Sequence, residues 1–163
     1  MRRKDREIHD QREIIQIMES CDVCRLALND EEYPYIVPLN FGIEVENGRI
    51  VLYFHGAKEG KKLELMAKDS RASFQMDCAH RFIPAEEKCG CTMEYQCVMG
   101  HGRVEMVLEE EKYQALSSLL KHYHQDASPM NPVMIKQTAV WKLVVQEVSG
   151  KALRKKIVQK VSE

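Results

Sequence analysis

An antiparallel β-barrel with short helices between its strands is the fold this 163-residue sequence predicts, and three observations predict it. Asn47-Gly48 lies between two strand-like segments, Phe41–Val45 and Arg49–Phe54, and marks a tight hairpin, because both central residues of a type I′ turn need positive φ. About six strand-like segments follow one another through turns, without the long crossover helices of a parallel sheet. The segment from Thr92 to Leu108 reads as one long strand carrying Gly100 and Gly102, where a bulge or a bend round a barrel corner is expected.

The remaining elements follow in order. Between Arg2 and Ser20, Ile8, Ile14, Ile15, Ile17 and Met18 cluster at helical spacing within charged residues, predicting a surface helix over 2–20. Val23–Leu28 reads as a strand, Asn29–Glu32 as a turn, and Tyr33–Phe41 as a second strand. Pro34 and Pro38 cannot donate ladder hydrogen bonds, which places that strand at a sheet edge or along a site. Lys61–Ala67 is a helix with Leu63, Met66 and Ala67 on one face, and Arg71–Met76 returns as a strand. Cys78–Cys91 holds Pro84, Gly90 and no steady period, and is expected to be a loop. A helix over Glu109–Tyr123 turns Tyr113, Leu116, Leu119 and Leu120 inward; Thr138–Val148 is a last strand, and the basic tail over 150–163 is expected to be loosely ordered.

One domain over 1–163 is the expected organisation, since a chain of this length buries enough surface for a single core. Lysines and arginines number 24 against 25 aspartates and glutamates, so no global field points to nucleic acid. The basic N-terminus lacks an apolar run behind it, and no stretch approaches the length of a membrane span. A cytoplasmic protein with reduced cysteines is the expectation.

The segment Tyr53–Leu63 is the richest in chemistry. A strand end is followed by a turn bearing Gly56 and Gly60, then by Lys58, Lys61, Lys62 and a helix start. Glycines permit close backbone approach, and free amides with lysines at a helix N-terminus suit a phosphate. A solvated lysine cluster capping a helix is the alternative, and the spacing matches neither a Walker A loop nor a dinucleotide fingerprint.

Three ordered motifs, Tyr33–Phe41, Tyr53–Lys62 and Tyr95–Gly102, together resemble the pyridoxamine 5′-phosphate oxidase-like flavin proteins, and within them the nitroimidazole-resistance group. The resemblance covers nearly the whole chain. It implies a split β-barrel of Greek-key antiparallel strands, a homodimer, and an FMN in each of two clefts at the subunit interface. It places Val37, Pro38, Leu39 and Asn40 along the isoalloxazine ring, with Asn40 offering hydrogen bonds to its polar edge. It assigns the ribityl phosphate to His55, Gly56, Ala57, Lys58, Lys61 and Lys62. Gln96, Cys97 and Val98 match a further flavin contact, where Cys97 departs from the family's serine and a thiol is the poorer hydrogen-bond partner.

The resemblance also associates His55 with the active site, where a near-neutral imidazole could deliver a proton. The alternative is a histidine that ends a strand and bonds its own loop. His101 is expected at a barrel corner, and His122 and His124 against the last carbonyls of their helix. Cys21/Cys24 and Cys89/Cys91 supply four thiols, but their spacing departs from zinc knuckles, so reduced, partly buried cysteines are expected and no metal. Trp141 and Tyr95 are expected to fill the barrel.

Two functions follow from different classes. The first is an FMN-dependent oxidoreductase reducing a small electron-poor, nitroaromatic-like molecule. The second is a flavin-binding carrier module without turnover, with haem or a deazaflavin in the same barrel as a further alternative.

Overall fold

A computed structural model of the chain describes residues 3–85, 90–126 and 129–154. Eight strands form one antiparallel sheet: β1 (Glu7–Ile8), β2 (Cys24–Leu28), β3 (Tyr35–Leu39), β4 (Gly42–Glu46), β5 (Arg49–Gly56), β6 (Arg71–Ile83), β7 (Thr92–Met106) and β8 (Ala139–Leu153). Their order is β3-β2-β6-β7-β8-β5-β4, with β1 added to β8. The ends of that path, β3 and β4, are joined through Asn40 and Phe41. The chain itself bridges the sheet where no ladder does, as expected of a split barrel. Among the described residues four α-helices accompany the sheet: α1 (Gln11–Glu19), α2 (Lys61–Lys68), α3 (Lys112–His122) and α4 (Pro132–Gln137).

The local signals act where expected. Asn47 and Gly48 take φ of 50° and 79°, and the hairpin they close pairs Glu46 with Arg49 and Gly42 with Tyr53. β3 lies at the edge, where Pro38 costs no ladder bond. The long strand β7 shifts register between His101 and Gly102 against β8. A Cβ on Gly102 would meet the Val144 carbonyl oxygen at 2.1 Å, so glycine is what allows the strands to close there.

Inward residues of the strands make the core, with Phe41, Phe54 and Trp141 fully buried beside Leu26, Leu52 and Leu143. Each such side chain contributes about 1.5–3 kcal/mol of apolar burial. A second, smaller cluster lies outside the barrel wall, where Ala115 and Leu119 of α3 cover Val51, Tyr53 and Val140. Lys112 pins that helix: its ammonium is buried, donates to the Thr138 carbonyl at 3.0 Å and pairs with Glu109 at 2.8 Å.

Several expectations are corrected. The N-terminal helix spans only 11–19, because the Asp10 side chain accepts from the Arg12 amide and starts it there, while Glu7 and Ile8 pair with Lys151 and Gly150. The first part of the expected Cys78–Cys91 loop is strand: β6 passes a bulge between Cys78 and Arg81 and stays paired with β7 as far as Ile83, while 86–89 lie outside the described residues. Nor is the tail loose over 150–154: β8 runs to Leu153, held between β7 and β1, because a central strand outlasts its own apolar pattern when neighbours satisfy its backbone. Residues 155–163 lie outside the described residues. Leu119 is buried as expected, but Tyr113 is exposed, and Ala115 and Ser118 are buried instead. His122 bonds the Cys21 carbonyl at 2.9 Å across the fold, not its own helix end. The helix α4 was not anticipated; Asn131 caps it and Pro132 opens it, a start signal legible in the sequence.

Candidate functional site

Around the end of β5, backbone geometry gathers the lysines. Gly56 leaves room for Lys62 to fold back: a Cβ there would stand 3.1 Å from Lys62 Cε and 3.3 Å from its Nζ and from the Trp141 ring. The Lys62 ammonium lies 5.8 Å from the centroid of that ring. It is half-buried and pairs with no carboxylate among the described residues. Gly60, at φ 122°, directs the chain into α2 without a side-chain cap. Its carbonyl takes the Leu63 and Glu64 amides, which leaves the Lys61 and Lys62 amides without an acceptor among the described residues.

Lys61 is not equivalent to Lys62. Its ammonium pairs with Asp30 at 2.6 Å and lies over the Tyr35 ring at 5.3 Å, tying α2 to the β2–β3 turn. The pair raises the Lys61 pKa and lowers that of Asp30. Lys58 and Ala57 are exposed on the turn between.

His55 faces a different side. It pairs with Val140 on β8 and lines a cavity of about 320 Å³ walled by Leu116, Leu119 and Leu120 of α3 and by Met134 and Ile135 of α4. Among the described residues Asn131 and Thr138 are the other polar residues of that lining, and His55 is its one ionisable group. Partial desolvation against α3 and α4 lowers the imidazole pKa from its ordinary value.

Along β3, Val37 and Leu39 pack on the core while Pro38 and Ile36 face out. Asn40 follows at the joint to β4, two residues before the ladder that begins at Gly42 and Tyr53. Ile36 borders a groove of about 550 Å³ across the outer sheet face, together with Arg25, Gln75, Met99, His101 and Glu147. Cys97 shares that face, 3.6 Å from Gln75 Nε2. Val98 is fully buried. Gln96, with its amide oriented to suit its neighbours, accepts from Arg154 Nε and Nη2 at 3.1 Å.

The thirteen residues singled out in the sequence therefore fall into two groups. Tyr35 against Lys61 joins β3 to the turn that follows His55. Gln96, Cys97 and Val98 lie elsewhere: Cys97 pairs with Lys151 and His55 with Val140, eleven positions apart on β8, about 35 Å of strand path. Sequence reasoning missed the α4 wall of the His55 cavity, for which Asn131-Pro132 was the available signal, and Asp30, whose pairing with Lys61 has no sequence signal. Among the described residues no group of His, Cys, Asp or Glu could hold a metal ion. Cys24 is buried, which pushes its thiol up to about 12, as expected of an inert core cysteine. Cys89 lies outside the described residues.

Residues 10–152 match the family model described as pyridoxamine 5′-phosphate oxidase. The chain belongs to the pyridoxamine 5′-phosphate oxidase family. A member provisionally assigned to 5-nitroimidazole antibiotic resistance in Bacteroides thetaiotaomicron is 30% identical, with 90% of this chain and 86% of that one covered and a TM-score of 0.78. The flavocytochrome Anf3 of Azotobacter vinelandii is 18% identical, covering 95% and 72% of the two chains at a TM-score of 0.77. An FAD- and haem-binding protein of Mycobacterium smegmatis is 15% identical, covering 92% and 74% at 0.80. The last two share the fold. A search of curated proteins returned no match. The family membership accounts for the split barrel and bears out the three-motif resemblance. No helix among the described residues is long and apolar enough to cross a membrane.

Proposed function

We propose that this family member is a flavoprotein that binds FMN by its phosphate and reduces a small, electron-poor aromatic molecule. The observation that carries the reading is the β5–α2 turn. There Gly56 makes a cradle that a Cβ would fill, Lys62 lies over it with no carboxylate partner among the described residues, and two helix amides without an acceptor among them stand beside it. These donors suit a phosphate monoester, with Lys58 adding charge from the exposed side. Lys61, already paired with Asp30, steadies the turn.

When bound, the flavin supplies the two-electron chemistry. The chain's own part is positional. Val37, Leu39 and Asn40 present a strand beside the lysine turn. The apolar wall beside His55 receives the face of an uncharged ring, and the neutral imidazole N–H donates a hydrogen bond to a polar substituent. The relatives add support: one is described as binding FAD and haem, another as a flavocytochrome, and the more similar one is linked to nitroimidazole resistance.

Assembly enters the same proposal. Gln96–Val98 and the His55–Lys62 turn lie at opposite ends of β8 in one chain, so a two-fold dimer lets one copy bring the first group to the other's cleft. The exposed outer face with Ile36, Pro38 and Met99 is the surface that such a dimer covers.

The visible spectrum of the purified protein, with mass spectrometry of the released ligand, tests the cofactor. Twin flavin bands and released FMN are expected. Released FAD corrects the cofactor, a Soret band points to haem, and a colourless protein that ignores added FMN ends the reading. Turnover of a nitroaromatic with NADH or NADPH distinguishes the enzyme from a flavin carrier. The carrier stands as a second reading because His55 is the only ionisable group lining its cavity among the described residues.

A further inference from the structure

Two thiols meet on one backbone oxygen where α1 rests against β6. Cys21, just beyond α1, donates its Sγ to the Ile17 carbonyl at 3.1 Å, and Cys78 Sγ lies 3.9 Å from that same oxygen. The sulfurs are close enough to shift each other's ionisation. Their settings differ. Cys21 is 1% exposed, whereas Cys78 is half-buried at the last paired residue before the β6 bulge, and Ala79 beside it takes φ 55°. The side chain of Gln96 lies 4.0 Å from Cys78 Sγ. Cys97 is turned to the outer face against Gln75, and Cys24 is sealed in the core.

We propose that Cys21 and Cys78 form a modification site, a dithiol that a hydroperoxide oxidises reversibly to a disulfide tying the end of α1 to the β6 bulge. The accessible Cys78 sulfur attacks the peroxide. The O–O bond breaks, Cys78 becomes a sulfenic acid and the peroxide's other oxygen leaves as water or an alcohol. Cys21 then attacks the Cys78 sulfur; the S–S bond forms, and the sulfenic oxygen departs as water with the Cys21 proton. Two thiols are oxidised by two electrons, and one peroxide is reduced by two.

The order of attack has a steric reason: Cys78 is half-buried, whereas Cys21 is sealed from solvent. Burial raises both thiols. The raised thiols make the reaction slow at neutral pH and faster as pH rises. Closing the sulfurs to bond length needs side-chain rotation and a small backbone shift, and the bulge after Cys78 is where the β6 ladder is already interrupted. The inference is independent of flavin binding.

The test is a peptide map of the reduced full chain after hydrogen peroxide, with free thiols blocked by alkylation before digestion. A peptide joining Cys21 to Cys78, abolished by dithiothreitol and forming faster at higher pH, is expected. The oxidised protein should melt higher by about 5–10 °C, since the bridge closes a long loop. In Cys21→Ser, Cys78 should stop at a sulfenic acid that dimedone traps. A wild-type map in which Cys78 is over-oxidised while Cys21 stays free, or in which either cysteine pairs elsewhere, overturns the proposal. That map needs no variant to fold.

Discussion

Lys62 lies over Gly56, with its Cε 3.1 Å from where a Cβ would stand, whereas its neighbour Lys61 is turned away to Asp30 at 2.6 Å. Adjacent lysines thus have different work: one keeps its charge available at the strand end and the other fastens the helix that carries it. Lys62→Ala should weaken FMN about 10- to 100-fold, the loss of one charge-assisted contact of roughly 1.5–3 kcal/mol. Lys61→Ala should cost FMN affinity less, since its ammonium is already engaged by Asp30. Titration of flavin fluorescence reads both, and equal losses would contradict the division.

His55 sets an acid sensitivity. Burial holds its folded pKa below the unfolded 6.5, so the unfolded chain binds the extra proton first and stability falls as pH drops through 6.5 toward the folded value. Above 6.5 both states are neutral at this residue and the effect vanishes. Urea midpoints measured across that window should show a shallower acid decline in His55→Gln than in the wild type.

Gly102 is the tightest point of the β7–β8 ladder. Its Cβ position falls 2.1 Å from one backbone oxygen and 2.9 Å from the Val144 carbonyl carbon, and backbone cannot rotate out of the way as a side chain does. Gly102→Ala should therefore destabilise by about 3 kcal/mol or more. Gly48→Ala meets nothing within 4 Å but strains a φ of 79°, and should cost about 1 kcal/mol. Denaturant melts rank the two.

The cavity beside His55 should accept a large side chain at the expense of substrate. Ile135→Trp places an indole in a space of about 320 Å³ on the α4 side of His55. Turnover of a nitroaromatic should fall with KM raised, while the flavin spectrum and FMN affinity stay as in the wild type. Loss of flavin in this variant would place the cofactor itself in that cavity.

Outer-face residues test the assembly. Ile36 and Met99 are 63% and 39% exposed and border the same groove. Ile36→Glu with Met99→Glu should give a monomer in sedimentation and a much weaker grip on flavin, whereas a monomeric wild type with flavin bound would remove the dimer from the proposal.

Much of this molecule was legible one segment at a time. Asn47-Gly48 specifies a hairpin because its positive φ values are local. Pro34 and Pro38 mark an edge because a missing donor is local too, and of the two glycines in the His55–Lys62 turn Gly56 announces a close approach while Gly60 serves a positive φ with open space around it. Signals that end elements were less reliable where neighbours decide them: β6 continues past Cys78 and β8 to Leu153 because flanking strands satisfy their backbones, whatever their own pattern. The chain's sequence by itself determined the strand-rich class, the turn chemistry and the family. Only the tertiary structure decided that Lys61 belongs to Asp30, that His55 faces α3 and α4, that Cys21 meets Cys78, and that Cys97 and His55 lie far apart on β8. These are relations between residues distant along the chain, created when the sheet closes, and no local propensity encodes them.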